Sequence, residues 1–348
     1  MKSMNEINCE KKCKNYIDVV KNGHLVCLKY LHENGYPWNE NICAIFAFYG
    51  HLECLKYLHE NGCTWYESTC SEAARHKNLE MLKYAHTHGC PWDKEKTCTE
   101  AARYGNLEIL KYAHENGCPW NSYTCMYAAK NGNLEILKYA HTHGCPWDES
   151  TCRLAAQNGN LEILKYAHTH GCPWNKWTIN VAVENGHLNC LQYAHENGCP
   201  WDIDTCSKSV IFRRLNCLQY AHTHGCPWNA SITQLAVQYG NLECLMYAVE
   251  KGCSFNKNKC LTIAIKKSRT SIIIYIENLL NFTNENNIDI DADDSLISLT
   301  CESCKVNKKC IAYKPCGHIF SCWFCAVKIK NCPICNKKIS SLLKIFFP

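Results

Sequence analysis

The sequence predicts a mainly α-helical solenoid of short repeats followed by a small zinc-binding domain, and three observations carry that reading. Glycines recur at positions 35, 62, 89, 117, 144, 171, 198, 225 and 252, a period of 27 broken by a single 28. A tryptophan stands three residues after each of the first eight, from Trp38 to Trp228, and Phe255 takes its place in the ninth. Beyond residue 300 the period stops, and eight Cys and His residues fall in four close pairs between Cys301 and Cys335. A fixed period of roughly 20–50 residues marks units that bury their apolar faces by stacking on one another.

The unit Trp147 to Cys172 shows how one repeat is built. Asp148 follows the tryptophan, as Asn or Asp does in eight of the nine units. Its side-chain oxygen can cap a helix N-terminus. Cys152, Ala155 and Ala156 then fall at i, i+3 and i+4, so a first helix presents small residues that let a neighbour approach. Asn158-Gly159-Asn160 turns the chain. Leu161, Ile163, Leu164, Ala167 and His168 restart a helical spacing that ends at Gly171, suited to the left-handed residue beyond a helix end. In the seventh unit Ser209-Val210 and Arg213 replace the Ala-Ala pair and the turn glycine, which predicts local irregularity there.

The resulting layout is an N-terminal cap over residues 1–22, nine repeats over 23–265, a capping helix over 266–282 and an acidic linker over 283–300. A zinc domain over 301–335 and an apolar tail over 336–348 complete it. At 47% hydrophobic residues the chain can bury a core, which excludes the composition of a disordered chain. The net charge of +5 is uneven: residues 301–348 hold nine Lys against one Glu, and the rest sums to −3. A basic segment suits an acidic protein surface, an anionic membrane or RNA, and charge alone does not choose among them. Thirty cysteines would suggest a disulfide scaffold in a short secreted chain. The N-terminal MKSMNEINCEKKCKNY has no apolar signal core, so a reducing compartment, the cytoplasm, is expected. The apolar run Ile272 to Ile276 is far short of a bilayer span, and no membrane segment is expected.

The phrase from Gly50 to Gly62, GHLECLKYLHENG, resembles the second helix of an ankyrin repeat, and Thr-Cys-x-x-Ala-Ala resembles its first. The resemblance covers roughly residues 12–265 and implies a protein-binding solenoid. These units are six residues shorter than the 33 of an ankyrin repeat, and the missing residues are where that family forms projecting β-hairpins. Short units of this Cys-Pro-Trp type are similar to ankyrin-like repeats of giant DNA viruses, which implies a host-cell cytoplasmic location.

Cys27, Cys54, Cys190, Cys217 and Cys244 share a repeat position with Met81, Ile109, Ile136 and Ile163, so they read as buried small hydrophobes. The run His86-Thr-His88-Gly-Cys90 loses its second His in His59-Glu-Asn-Gly-Cys63, so no metal and no catalysis are assigned to the repeats. The first-helix positions expected to face outward carry small or charged residues such as Glu67, Ser71 and Glu149, except in the middle units. There Tyr123, Met126, Tyr127 and Trp177 stand, the residue types of interface anchors, and they are the candidate substrate-binding residues, the alternative being that they pack against neighbouring units.

The zinc domain reads Cys301-x2-Cys304-x11-Cys316-x-His318-x3-Cys322-x2-Cys325-x6-Cys332-x2-Cys335. Eight thiolate or imidazole ligands suffice for two closed tetrahedral zinc sites, and a closed site is structural. Cys310 breaks the pair spacing and reads as a non-ligand. A zinc-dependent nucleic-acid binder would need one such site, and only the lysines favour it.

This spacing, with Pro315-Cys-Gly-His-Ile-Phe-Ser-Cys322 and Asn331-Cys-Pro-Ile-Cys335, resembles the RING of the inhibitor-of-apoptosis proteins over about 301–348. The resemblance implies that Cys301, Cys304, Cys322 and Cys325 hold one zinc ion, and Cys316, His318, Cys332 and Cys335 the other. It also implies a ubiquitin ligase that recruits a ubiquitin-charged conjugating enzyme, with Pro333 and Ser303 at the enzyme contact and Asn336 and Phe346 at the ubiquitin contact. Ser303 stands where the family has an aliphatic residue, and Asn336 replaces its arginine. The tail Leu342 to Pro348, with five large apolar side chains, is expected to join two copies of the domain, the alternative being that it folds back onto its own zinc core. The reading from sequence is therefore a RING-type ligase with the solenoid as receptor for a protein substrate. A non-enzymatic adaptor or decoy is the alternative.

Overall fold

The structure, a computed structural model, describes residues 16–38, 41–284, 311–314, 319–321, 330–331, 338 and 341–344. It divides into two units, Met1–Trp201 and Asp202–Pro348. Among the described residues of the first, fourteen helices run in pairs: α1 (Tyr16–Asn22) and α2 (Leu25–Glu33), α3 (Ile42–Tyr49) and α4 (Leu52–Glu60), α5 (Ser68–Arg75) and α6 (Leu79–Thr87), α7 (Thr97–Arg103) and α8 (Leu107–Glu115). They continue with α9 (Ser122–Lys130) and α10 (Leu134–Thr142), α11 (Glu149–Gln157) and α12 (Leu161–Thr169), α13 (Lys176–Asn185) and α14 (Leu188–Glu196). First helices pack on first helices and second on second, giving two stacked rows. The second unit holds α15 (Ile203–Ile211), α16 (Leu215–Thr223), α17 (Ser231–Tyr239), α18 (Leu242–Glu250), α19 (Lys257–Lys266) and α20 (Thr270–Asn284), with three strands after them.

Local chemistry sets each pair. The Asn or Asp after the tryptophan caps the first helix: Asp148 Oδ1 accepts from the Ser150 amide at 2.8 Å, and Asn121 and Asn175 do the same for Tyr123 and Trp177. The turn then needs a left-handed residue, which Gly159 supplies at φ 72°. Asn160 closes the joint by donating Nδ2 to the Ala129 carbonyl of the preceding repeat at 2.8 Å. The core is the seam between the rows, where Cys152, Ala155, Ala156, Ile163, Leu164 and Ala167 are all buried. Full burial of one such leucine contributes about 2 kcal/mol.

Two expectations are corrected. Ser71 is buried rather than outward, because its hydroxyl donates to Asp93 Oδ2 at 3.3 Å and to the Ser68 carbonyl at 3.1 Å. The seventh repeat is as regular as the others. Ser209 sends its hydroxyl back to the Thr205 carbonyl at 2.8 Å inside an unbroken nine-residue α15. Arg213 takes the glycine's left-handed conformation at φ 60° and donates from its guanidinium to the Tyr239 carbonyl at 3.1 Å. At the C-terminal end α20 packs on α19 across a turn in which Ser268 is left-handed at φ 52°, the form of the other pairs. Among the described residues no helix is long and apolar enough to cross a membrane.

Candidate protein-docking face and zinc-binding module

On the outer face of the first helices, Tyr123 and Trp177 occupy the same position two repeats apart, in the first turns of α9 and α13. They are 56% and 48% exposed, among the largest apolar side chains that the stack leaves open. Lys176 lies over the Trp177 ring, 5.9 Å from its centroid. Met126 and Tyr127 sit one turn further along α9 and are half-buried. Tyr127 is already engaged: the Arg103 guanidinium lies 4.0 Å from its ring centroid and pairs with Glu100 at 3.0 Å. The four candidates thus divide into two open rings and two packed side chains. Glu67 and Glu149 are exposed, as expected.

Sequence reasoning missed the role of the histidines, which build a ladder on the second helices. His141 stacks on Trp147 with centroids 4.0 Å apart, and its Nδ1 shares a hydrogen bond with the Tyr166 hydroxyl of the next repeat at 3.0 Å. The same rung recurs at His86 with Trp92 and Tyr112, at His114 with Trp120 and Tyr139, at His168 with Trp174 and Tyr193, and at His222 with Trp228 and Tyr247. The second histidine of each His-Thr-His run, such as His88 or His143, donates Nδ1–H to the carbonyl four residues back. Burial holds His86, His114 and His141 below the ordinary imidazole range, with neighbouring histidines adding at His114 and His141. The signal in the sequence was the joint period of His, Trp and Tyr.

The C-terminal module is described through its strands. Strands β1 (Ile311–Lys314), β2 (Ile319–Ser321) and β3 (Ser341–Lys344) form an antiparallel sheet in the order β2-β1-β3. Ala312 pairs with Ile319 and with Leu343, so the first half of the apolar tail lies along β1 of its own chain. Asn331 and Lys338 form an isolated antiparallel bridge. Cys301, Cys304, Cys316, His318, Cys322, Cys325, Cys332 and Cys335 lie outside the described residues, as do Ser303, Cys310, Pro333, Asn336 and Phe346. In chain order Cys316 and His318 fall between β1 and β2, and Cys322 follows β2 directly. The donor set fits zinc: thiolates and one imidazole, eight in number.

Comparison with known proteins locates both parts. The family model for a zinc finger of C3HC4 type (RING finger) matches residues 297–342. That for ankyrin repeats matches residues 98–166 and 125–206. The chain is 38% identical over 50 residues to an apoptosis inhibitor IAP of a Cydia pomonella granulosis virus, covering 14% of this chain and 18% of the relative. It is 34% identical over 53 residues to an uncharacterized RING finger protein of Invertebrate iridescent virus 6, covering 15% and 23%. It is 39% identical over 46 residues to the E3 ubiquitin-protein ligase cblA of Dictyostelium discoideum, covering 13% and 7%. The chain therefore spans less than a quarter of the length of each of these relatives. The solved human ASB11 ankyrin repeat domain superposes with a TM-score of 0.42 at 17% identity, covering 48% of this chain and 90% of that one. The family models thus place ankyrin repeats within residues 98–206 and a C3HC4-type RING finger over residues 297–342, where the paired helices and the C-terminal Cys/His run lie.

Proposed function

We propose that this protein is a RING-type E3 ubiquitin ligase whose ankyrin-like solenoid holds a protein substrate while the RING recruits a ubiquitin-charged conjugating enzyme, in the cytoplasm. One observation carries the reading: a complete eight-ligand Cys/His run lies within the match to the RING family, behind a long repeat array. The names of relatives such as cblA support it. Two zinc ions would be held, one by Cys301, Cys304, Cys322 and Cys325 and the other by Cys316, His318, Cys332 and Cys335. The metal supplies cross-links that fold the module, and no thiolate acts as a nucleophile.

The ligase works by positioning. Holding a charged conjugating enzyme near a substrate lysine makes transfer effectively unimolecular. Pro333 and Ser303 would face the enzyme, and Asn336 and Phe346 the ubiquitin. On the solenoid, Tyr123 and Trp177 would anchor the substrate, with Met126 and Tyr127 flanking. A second copy of the chain would add to the sheet at β3, which is an edge strand.

The alternative is a non-enzymatic adaptor or decoy, favoured by the polar Ser303 and Asn336 at the two contact positions. Incubating the purified protein with activating enzyme, ubiquitin and a panel of conjugating enzymes separates the two. Chains that form with wild type and vanish with His318→Ala support the ligase. Absence of chains with every enzyme supports the adaptor.

A further inference from the structure

Every cysteine among the described residues is a free thiol, and twelve of them fall in pairs twenty residues apart, one pair to a repeat. In each pair one cysteine lies in the first turn of a first helix and the other in the loop after the second helix of the same repeat. Cys43 and Cys63, twenty residues apart in sequence, have their sulfurs 3.1 Å apart. In the equivalent pairs Cys98 and Cys152 lie against Cys118 and Cys172, each donating its Sγ–H to the other's backbone carbonyl at 3.9 Å, and Cys70, Cys125 and Cys206 stand at the same offset from Cys90, Cys145 and Cys226. Two repeats break the pattern at one partner only. Cys199 faces Ile179, and Cys253 faces Thr233. Among the described residues no group of three or more His, Cys, Asp or Glu side chains is placed to hold a metal ion, so these are pairs and not metal sites.

We propose that the six thiol pairs are oxidation sites, each converted by a peroxide into a disulfide that ties the first helix of a repeat to the loop after its second helix. Sulfurs in contact, as at Cys43 and Cys63, need little movement to bond. The two members are unequal. The loop cysteines keep a trace of exposure, 3% to 5%, whereas the helix cysteines keep 1% at most, so a small oxidant reaches the loop residue first. Cys43 donates its thiol to the Cys63 sulfur, and the backbone amide of the helix cysteine adds a second donor at Cys63, Cys90 and Cys226. These lower the thiol pKa at Cys63, Cys90 and Cys226, the partner's hydrogen bond being the main cause.

The chemistry balances with hydrogen peroxide as the oxidant. The loop thiolate attacks one peroxide oxygen, the O–O bond breaks, and the departing hydroxide takes up the thiol's proton to leave as water. The loop sulfur is then a sulfenic acid. The helix sulfur attacks it as a thiolate, the S–O bond breaks, and hydroxide leaves with the helix thiol's proton as a second water. Each sulfur has given up one electron, and the peroxide has taken two.

Treating the full-length protein with hydrogen peroxide, alkylating after denaturation and mapping unreduced peptides by mass spectrometry tests this. The expected result is six cross-linked peptides, each two hydrogens lighter, joining the six pairs, with Cys199 and Cys253 recovered as alkylated thiols. Dithiothreitol should reverse the links, and the oxidised solenoid should melt several degrees higher. In Ile179→Cys, Cys199 should move into a seventh link. Recovery of the paired cysteines as free thiols, or loss of Cys199 and Cys253 in wild type as fast as the paired loop cysteines, would overturn the proposal. So would an Ile179→Cys variant in which Cys199 stays free.

Discussion

His141 lies flat on Trp147, with 12° between the ring planes and 4.0 Å between centroids. An imidazole held this way is partly removed from water, and its protonated form suffers for it. Burial lowers its pKa, and the nearby His170 adds to the effect. Burial lowers His59, His86, His114 and His222 as well.

These shifts set a pH dependence. A histidine whose folded pKa lies below its unfolded value of about 6.5 is protonated first in the unfolded chain. The rungs are therefore at full strength above that pH. As pH falls through about 6.5 the unfolded state gains protons and stability drops, levelling off once the folded pKa values are passed. The melting temperature of the helical circular dichroism signal should fall between pH 7.5 and pH 5, and His141→Phe, which keeps the stack, should shallow the slope. A melting temperature constant over that range would remove the rungs from the titration.

The turns offer a second, graded test. At Gly159 an added Cβ would lie 2.6 Å from His187 Nδ1, with φ at +72°. At Gly171 it would meet nothing within 4 Å, with φ at +81°. Gly171→Ala should cost only the left-handed strain, about 1–2 kcal/mol, and Gly159→Ala more, about 2–4 kcal/mol. Lys77 carries that strain already at φ 58°, so Lys77→Gly should stabilise by up to about 1 kcal/mol. Urea titrations of the three variants give the order directly.

Metal removal should act on one part of the chain. Elemental analysis of protein never exposed to chelator should give two zinc ions per chain. Chelation should unfold the C-terminal module and leave the helical signal, since a structural site contributes on the order of 10 kcal/mol of folding free energy whereas stacked repeats rest on packing. One ion or none would remove the two-site assignment.

On the outer face, the exposed rings and the packed ones should separate. Tyr123→Ala and Trp177→Ala should weaken substrate capture tenfold or more and change stability by less than about 0.5 kcal/mol. Tyr127→Ala, which deprives Arg103 of its ring partner, should cost about 1–2 kcal/mol of stability. Equal binding by all three variants and wild type would show the face to be idle.

Much of the fold was legible because each repeat solves its local problems with residues of fixed chemistry. Asp148 announces a helix start, Gly159 a turn, and Ala155 and Ala156 a close approach. What the sequence hid depends on distant partners. Ser71 looked like a surface residue because nothing in its own helix shows that Asp93 reaches it. The contact of Cys63 with Cys43 stayed hidden because it joins a loop to a helix twenty residues earlier. The seventh repeat looked locally irregular because neither the back-bond of Ser209 nor the left-handed Arg213 can be read from composition.

The rung from His141 to Tyr166 also bears on how such a gene can change. Every joint it makes is made again, with the same three residue types, one period on. Excising residues 148–174 would bring His141, still stacked on Trp147, against Tyr193, where His168 now stands. Unequal crossing-over between copies in whole periods therefore creates no new joint to be solved. Such events alter the reach of the molecule while the chemistry at each junction stays constant, and array length becomes a trait open to selection independently of stability.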